Sequence, residues 1–245
     1  MYFKCRCHEE ANRKGIYVKE TLDENHKLYS IIADVTNPSD LGLTISLTEK
    51  CNFACEYCCE SRMLSEIDDN SKYKIVEYVK HNMHKYTGLS INWFGGEPLL
   101  ALDTIDELSK EFLKICTFNR RKYSASITTN GYDLDLDVFN MLMKNRICDY
   151  QITIDGIKEI HDRQRHTKSG KPTFERIVYN LKRIKALPQR NFRIVLRSNL
   201  TQEIFNYLDE YIDFISEICE NDSRFNLSIC FASVWSNNIK KNREM

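Results

Sequence analysis

The 245-residue chain lacks net charge: 35 Lys and Arg stand against 35 Asp and Glu. A chain so balanced projects no global field toward nucleic acid or an anionic membrane surface, so neither is expected as a partner. It also lacks any run approaching the roughly 18 uninterrupted apolar residues of a membrane-spanning helix. The opening residues, Met1-Tyr-Phe-Lys-Cys-Arg-Cys, carry neither the apolar core nor the small-residue cleavage site of a secretory signal. A cytoplasmic location is the expectation. Internal repeats and low-complexity segments are missing too. Disorder throughout is excluded by a hydrophobic content of 42%, enough for one large core or two small ones.

What the sequence has in excess is cysteine. Ten are present, an even number that invites a disulfide reading, but such frameworks belong to oxidising compartments and usually to smaller scaffolds. Four of them, Cys51, Cys55, Cys58 and Cys59, fall within nine residues while the others scatter. Metal or redox chemistry explains that clustering better than a framework of bridges.

Short apolar segments alternate with amphipathic ones. Strands are predicted at Leu43 to Thr48, Leu89 to Phe94, Tyr123 to Thr128, Tyr150 to Ile154, Phe192 to Arg197 and Phe225 to Phe231. Helical spacing recurs in Phe174, Ile177, Val178, Leu181 and Ile184, with Thr173 placed to cap and Pro188 to stop the run. A further apolar stripe of Ile204, Leu208, Tyr211, Ile212 and Ile215 follows the candidate cap Thr201. Asp103 and Asp135 mark two more helix starts, and another helix is expected from about Ser71 to Tyr86. Such alternation argues a parallel sheet with helical crossovers. Eight units make a full barrel of typically ~250 residues, whereas only six fit here. The expected fold is therefore α/β, a partial (β/α)6 barrel over 41–235. It carries a short N-terminal β appendage, hairpin-like, over 1–40 and a polar tail over 236–245. Ligands of such folds bind at the carboxyl ends of the strands.

The chemistry-bearing residues stand there. After the first strand comes Cys51-Asn-Phe-Ala-Cys55-Glu-Tyr-Cys58, a C-x3-C-x2-C loop whose thiolates suit an iron–sulfur cluster or a structural zinc. A zinc would want a fourth protein ligand, which Cys59, adjacent to Cys58, is poorly placed to give. A four-iron cluster on three cysteines leaves one iron open. After the next strands come Gly95-Gly-Glu-Pro98, Thr128-Thr-Asn130-Gly131, Thr153-Ile-Asp155-Gly156 followed by His161-Asp162-Arg-Gln-Arg165, and Arg197-Ser-Asn199. Singly these are ordinary turn pairs and loops; in this order, over residues 41 to 231, the chain resembles the radical S-adenosylmethionine (SAM) enzymes. It is most similar to the branch that modifies peptides and proteins, which includes anaerobic sulfatase-maturating enzymes and thioether-forming peptide maturases.

The resemblance implies one 4Fe-4S cluster on Cys51, Cys55 and Cys58, with SAM on its open iron. A reduced cluster would cleave SAM to methionine and a 5′-deoxyadenosyl radical, which takes a hydrogen atom from a peptide or protein substrate. The implied electron source is a low-potential flavodoxin- or ferredoxin-type donor. Tyr57 would lie near the adenine, and Gly95, Gly96 and Glu97 near the methionine amino group. Thr153, Arg197 and Asn199 would lie near ribose or carboxylate, with Asn130 and Asp155 as further candidates. The resemblance assigns no catalytic residue. His161, Arg163 or Arg165 is a candidate to meet an acidic peptide or a carboxylate.

Two alternatives stay open at this point. A molybdenum-cofactor-type cyclase shares the cysteine loop and GGEP but should show a second cysteine triad near its carboxyl end. A non-catalytic iron–sulfur or zinc module would leave GGEP and the polar strand ends without a task. The peptide-modifying branch usually continues into a cysteine-rich domain with auxiliary clusters. None is visible before Met245, which suggests a truncated or split enzyme. Cys116, Cys148, Cys219 and Cys230 are expected as small buried hydrophobes, Cys59 as solvent-facing, and Cys5 and Cys7 as free thiols. Twelve Lys or Arg against three acids between Lys158 and Arg197, then seven acids and no base from Glu203 to Asp222, read as helix faces that balance each other.

Overall fold

A computed structural model describes residues 39–58, 65–220 and 222–231. The expected appendage over 1–40 and the tail over 236–245 lie essentially outside these residues, as do Cys5, Cys7 and Cys59. Six strands, β1 (Asp40–Ser46), β2 (Gly88–Phe94), β3 (Lys122–Thr129), β4 (Ile147–Thr153), β5 (Arg193–Leu200) and β6 (Phe225–Phe231), form one sheet in sequential order. Every pair is parallel, and the crossovers are helical: α1 (Asp69–Asn82), α2 (Leu102–Phe118), α3 (Leu136–Lys144), α4 (Lys158–Gln164), α5 (Phe174–Lys185), α6 (Gln202–Asn206) and α7 (Leu208–Cys219). This is the partial barrel expected from the alternation.

The two faces of the sheet differ because side chains alternate along each strand. Leu89, Ile91 and Trp93 of β2, Ile127 of β3, Tyr150 and Ile152 of β4, and Ile194 and Leu196 of β5 are all buried against the helices. Trp93 stacks on Phe112 of α2 at 6.2 Å, and Phe139 of α3 stacks on Tyr150 at 5.2 Å. Each such side chain stabilises the fold by about 1.5–3 kcal/mol relative to exposure. The opposite face, concave in a barrel with its helices outside, runs Thr44–Asn92–Ser126–Asp149–Arg193 in one row and Thr128–Gln151–Val195–Asn226 in the next. It is polar almost throughout.

Several expectations shift in detail. β1 begins three residues early, since Asp40 to Gly42 pair with Gly88 to Ser90, and it releases Thr48 into a bridge with Glu66. A bulge at Ala125/Ser126 lets β4 start at Ile147 while keeping Tyr150 and Ile152 toward the helices. Thr173 does not cap α5. Its hydroxyl donates to the Arg165 carbonyl (2.5 Å), and Asp162 accepts from the amides of Thr173 and Phe174 instead. Asp103 lies inside the first turn of α2, which is entered through a 3-10 turn, Pro98–Ala101, capped by Glu97. Asp135 and Thr201 cap as expected. The stripe after Thr201 breaks at Tyr207 into α6 and α7. Helix α4 has seven residues, too few to show a period in the sequence. The opposite charge blocks do meet, through Arg163–Glu203, Lys182–Glu217 and Arg190–Asp222.

Candidate active site

The cysteine loop lies at the carboxyl end of β1 and is fastened on two sides. On one side the Ala54 amide donates to the His166 carbonyl (2.9 Å), the Glu56 amide to Gln164 (3.1 Å), and the Lys168 amide to Asn52 (3.0 Å). On the other, Asn130 Nδ2 donates to Asn52 Oδ1 (2.7 Å) and Asn52 Nδ2 to Asp133 Oδ2 (2.8 Å). Cys51, Cys55 and Cys58 are partly buried and free. Burial pushes the Cys51 thiol up to about 11 and raises that of Cys55, which the Arg165 guanidinium pulls back down. Among the described residues no three His, Cys, Asp or Glu side chains converge on one metal ion; thiols that each serve a different iron need not. Three thiols on one braced loop make a soft donor set suited to a cluster.

Gly95 and Gly96 allow the loop after β2 to press against that same segment. Gly95 has φ +137°, and an added Cβ would stand 2.4 Å from the Thr48 carbonyl oxygen; at Gly96 it would stand 2.5 Å from that of Lys50. The Gly96 and Glu97 amides donate to these two carbonyls at 2.7 and 2.9 Å. The glycines thus serve a backbone approach that the motif alone did not disclose.

Glu97 turns inward. It is buried, and its carboxylate accepts from the Leu99 amide (3.0 Å), the Thr129 hydroxyl (2.7 Å) and the Asn130 amide (2.7 Å). Desolvation pushes its pKa up to about 7 against these donors. The carboxylate is a clasp between the ends of β2 and β3 in this structure, with its hydrogen bonds spent on the protein. Asn130 is likewise committed, to Asn52 and to the Tyr132 amide.

A second polar group joins the ends of β4 and β5 to the cysteine loop. Asp155, fully buried, accepts the Asn199 amide on Oδ1 (2.7 Å) and the Tyr57 hydroxyl on Oδ2. Tyr57 Oη also accepts from Arg165 Nη1 and, at 3.3 Å, from Asn199 Nδ2. His161 Nδ1 accepts the Asp155 amide (3.2 Å), and burial depresses its pKa to about 3. His161 and Asp162 therefore face different partners and form no acid–base pair. Thr153 and Arg197 are cross-strand neighbours on the concave face, and Arg197 Nε donates to Asn199 Oδ1 (3.3 Å).

The expected site residues thus gather at the carboxyl ends of the strands. Arg165 departs from expectation: it is 8% exposed, beneath the cysteine loop, and has no surface with which to meet an acidic peptide. Arg163 is exposed but paired with Glu203. Of the outlying thiols Cys116 is buried, whereas Cys148, Cys219 and Cys230 are only partly so, and Cys230 neighbours Asn199 on the concave face.

The sequence profile of the radical SAM superfamily matches residues 45–223. The chain belongs to this superfamily. The cofactors of radical SAM proteins are a 4Fe-4S cluster and SAM, and the three thiols fit that cluster. Relatives include a GTP 3′,8-cyclase of Clostridium perfringens, 30% identical over 75% of this chain and 54% of that protein. A serine-type anaerobic sulfatase-maturating enzyme of Bacteroides thetaiotaomicron is 28% identical over 55% of this chain and 34% of that protein. Among solved structures, anSMEcpe with bound AdoMet superposes with a TM-score of 0.65 at 22% identity, covering 78% of this chain and 52% of the other, which supports the radical SAM fold. The chain spans about half the length of the curated relatives it matches.

Proposed function

We propose that this radical SAM chain, over residues 41–235, is the radical-forming part of an enzyme that modifies a peptide or protein side chain. The carrying observation is the chemistry of the concave face. Thr44, Ser90, Asn92, Ser124, Ser126, Thr128 and Gln151 line it with hydroxyls and amides, which match the N–H and C=O groups of a peptide. A nucleotide would need converging cations for its phosphates. Of the concave-face cations among the described residues, Arg193 is spent on Asp149 (2.8 Å) and Lys122 stands at the far end, leaving Arg197 near the strand tips. Relatives that act on sulfatases, and a related fold solved with its precursor peptide, support the same substrate class.

In this reading Cys51, Cys55 and Cys58 hold the cluster, and the loops carrying Tyr57, Gly95, Gly96, Asn130, Thr153, Arg197 and Asn199 form the SAM cradle. Held there, the cluster and SAM would supply radical chemistry on taking one electron from a flavodoxin- or ferredoxin-class donor. The chain's own work is positional. Glu97 locks the β2 and β3 ends, Asp155 locks the β4 and β5 ends, and the braced loop sets the thiols. Arg197 offers a cation to a carboxylate, and the Thr153 hydroxyl stands beside it. With its carboxylate clasped, Glu97 contributes to an ammonium through the loop it shapes.

The test is anaerobic reconstitution with iron and sulfide, iron analysis, and 5′-deoxyadenosine formation from SAM with dithionite. About four irons per chain and deoxyadenosine formation are expected; zinc in place of iron overturns the reading. The GTP cyclase relative supplies the competing reading. A mixed pool of synthetic peptides should raise the deoxyadenosine yield, while GTP should not; acceleration by GTP alone would move the assignment to the cyclase branch.

A further inference from the structure

Arg165 is a buried cation with unfinished bonding. Nη1 donates to the Tyr57 hydroxyl and lies 3.6 Å from Asp155 Oδ2, but the buried Nε has no partner among the described residues. The guanidinium carbon lies 5.8 Å from the ring centre of Phe53 and 5.9 Å from that of Tyr57, within cation–π range, and both rings belong to the Cys51–Cys58 loop. Backbone hydrogen bonds on either side of it, Ala54 to His166 and Glu56 to Gln164, set Arg165 directly across from Cys55. A merely structural pair would have closed its donors on carbonyls, as buried arginines can.

We propose that Arg165 is a positioning residue that sets the reduction potential of the cluster, acting as a fixed cation packed behind Cys55. The inference rests on the assignment of Cys51, Cys55 and Cys58 as cluster ligands. Cluster potentials respond to nearby charge, to hydrogen bonds on sulfur and to burial. One electron from a low-potential donor adds one negative charge to the cluster; no bond forms or breaks, and Arg165 keeps its proton throughout. A buried cation stabilises that added charge and raises the potential, and a buried anion lowers it. Asp155, 3.6 Å from Nη1, is the anion that opposes it, while the paired backbone sets Arg165 itself across from Cys55.

The experiment is an anaerobic redox titration of the reconstituted full chain, with dithionite and mediators, following the electron paramagnetic resonance signal of the reduced cluster alongside iron content. Arg165→Met should lower the ratio of reduced to oxidised cluster at a fixed potential about tenfold, or ~59 mV for one electron. Arg165→Lys should restore most of it. Asp155→Asn should shift the ratio the opposite way, which a loss of loop structure would not do. An unmoved potential in fully loaded Arg165→Met overturns the proposal. If that variant loads no cluster, Asp155→Asn decides: an upward shift supports the proposal, and no shift or a downward one overturns it. Failure of the unaltered chain to take up iron would instead remove the ligand assignment and the proposal with it.

Discussion

Two buried arginines occupy opposite ends of the sheet, and they are bonded differently. Arg224, 4% exposed at the foot of β6, spends all five N–H donors: on Asp222 through Nε and Nη2, on the carbonyls of Leu187 and Gln189 through Nη1, and on that of Lys185 through Nη2. It also lies 4.7 Å from the Phe192 ring centre, and it holds the Asp222 carboxyl down at about 2. Arg165, under the cysteine loop, leaves Nε unpaired among the described residues and shares an aspartate with a tyrosine and a backbone amide. The closed set ties an edge strand to the α5–β5 connection. The open set stands under the loop that carries Cys51, Cys55 and Cys58. Burial and an aspartate partner are common to both, so the difference lies in what each guanidinium leaves unspent.

The contrast can be broken at several points. The largest expected effect is at the carboxyl end: Cys55→Ala should abolish cluster binding by iron analysis while the urea unfolding midpoint of the apo-protein stays near that of the parent. Cys59→Ala should retain the iron; equal loss there would break the ligand assignment. Next, Arg224→Met should cost about 1–3 kcal/mol of stability by taking the donor from the carbonyls of Lys185, Leu187 and Gln189, read by urea denaturation, with iron per folded chain unchanged. A loss of cluster potential in that variant would erase the distinction between the two arginines.

His161, which holds the Asp155 amide, gives a pH signature. Its folded pKa of about 3 lies below the 6.5 of the free side chain because burial disfavours the cation, with Arg165 and Lys158 adding to this and Asp162 opposing. Between these values the unfolded chain binds a proton that the folded chain does not. Stability from this group is present above pH 6.5 and is lost as pH falls toward 3. His161→Gln should flatten the fall by up to ~1.4 kcal/mol per pH unit in denaturation curves. The raised pKa of Glu97, about 7, works in the opposite sense: its contribution is full below 4.5 and is lost as pH rises through 7. Glu97→Gln should remove that slope. The smallest effect is expected at the exposed Arg163–Glu203 pair, where Arg163→Ala should cost no more than ~1 kcal/mol.

Much of this architecture was legible in the chain. Strand and helix periods come from the covalent alternation of side chains, so Ile91 and Trp93, or Ile177 and Leu181, announce their buried face locally. The position of the candidate site was legible too, because a parallel sheet delivers every strand end to one rim: Cys51, Glu97, Asn130 and Asp155 follow their strands, and Asn199 lies at the end of β5. Less visible was what the side chains do there. Glu97 reads as a free carboxylate for an ammonium, yet it folds onto the β3 end. Arg165 reads as a surface cation in a basic stretch, yet the seven-residue helix α4 carries it under the loop.

The sequence by itself determined the order of elements, the polar and apolar faces of the sheet and the three thiols on one loop, since each depends on spacing along the chain. Only the tertiary structure decided which charges are buried and which partners they find. Asp155 meets Tyr57 at a separation of 98 positions along the chain, and Arg165 meets the same hydroxyl at a separation of 108. No local pattern encodes such pairings, because they arise where six strand ends converge and water is excluded.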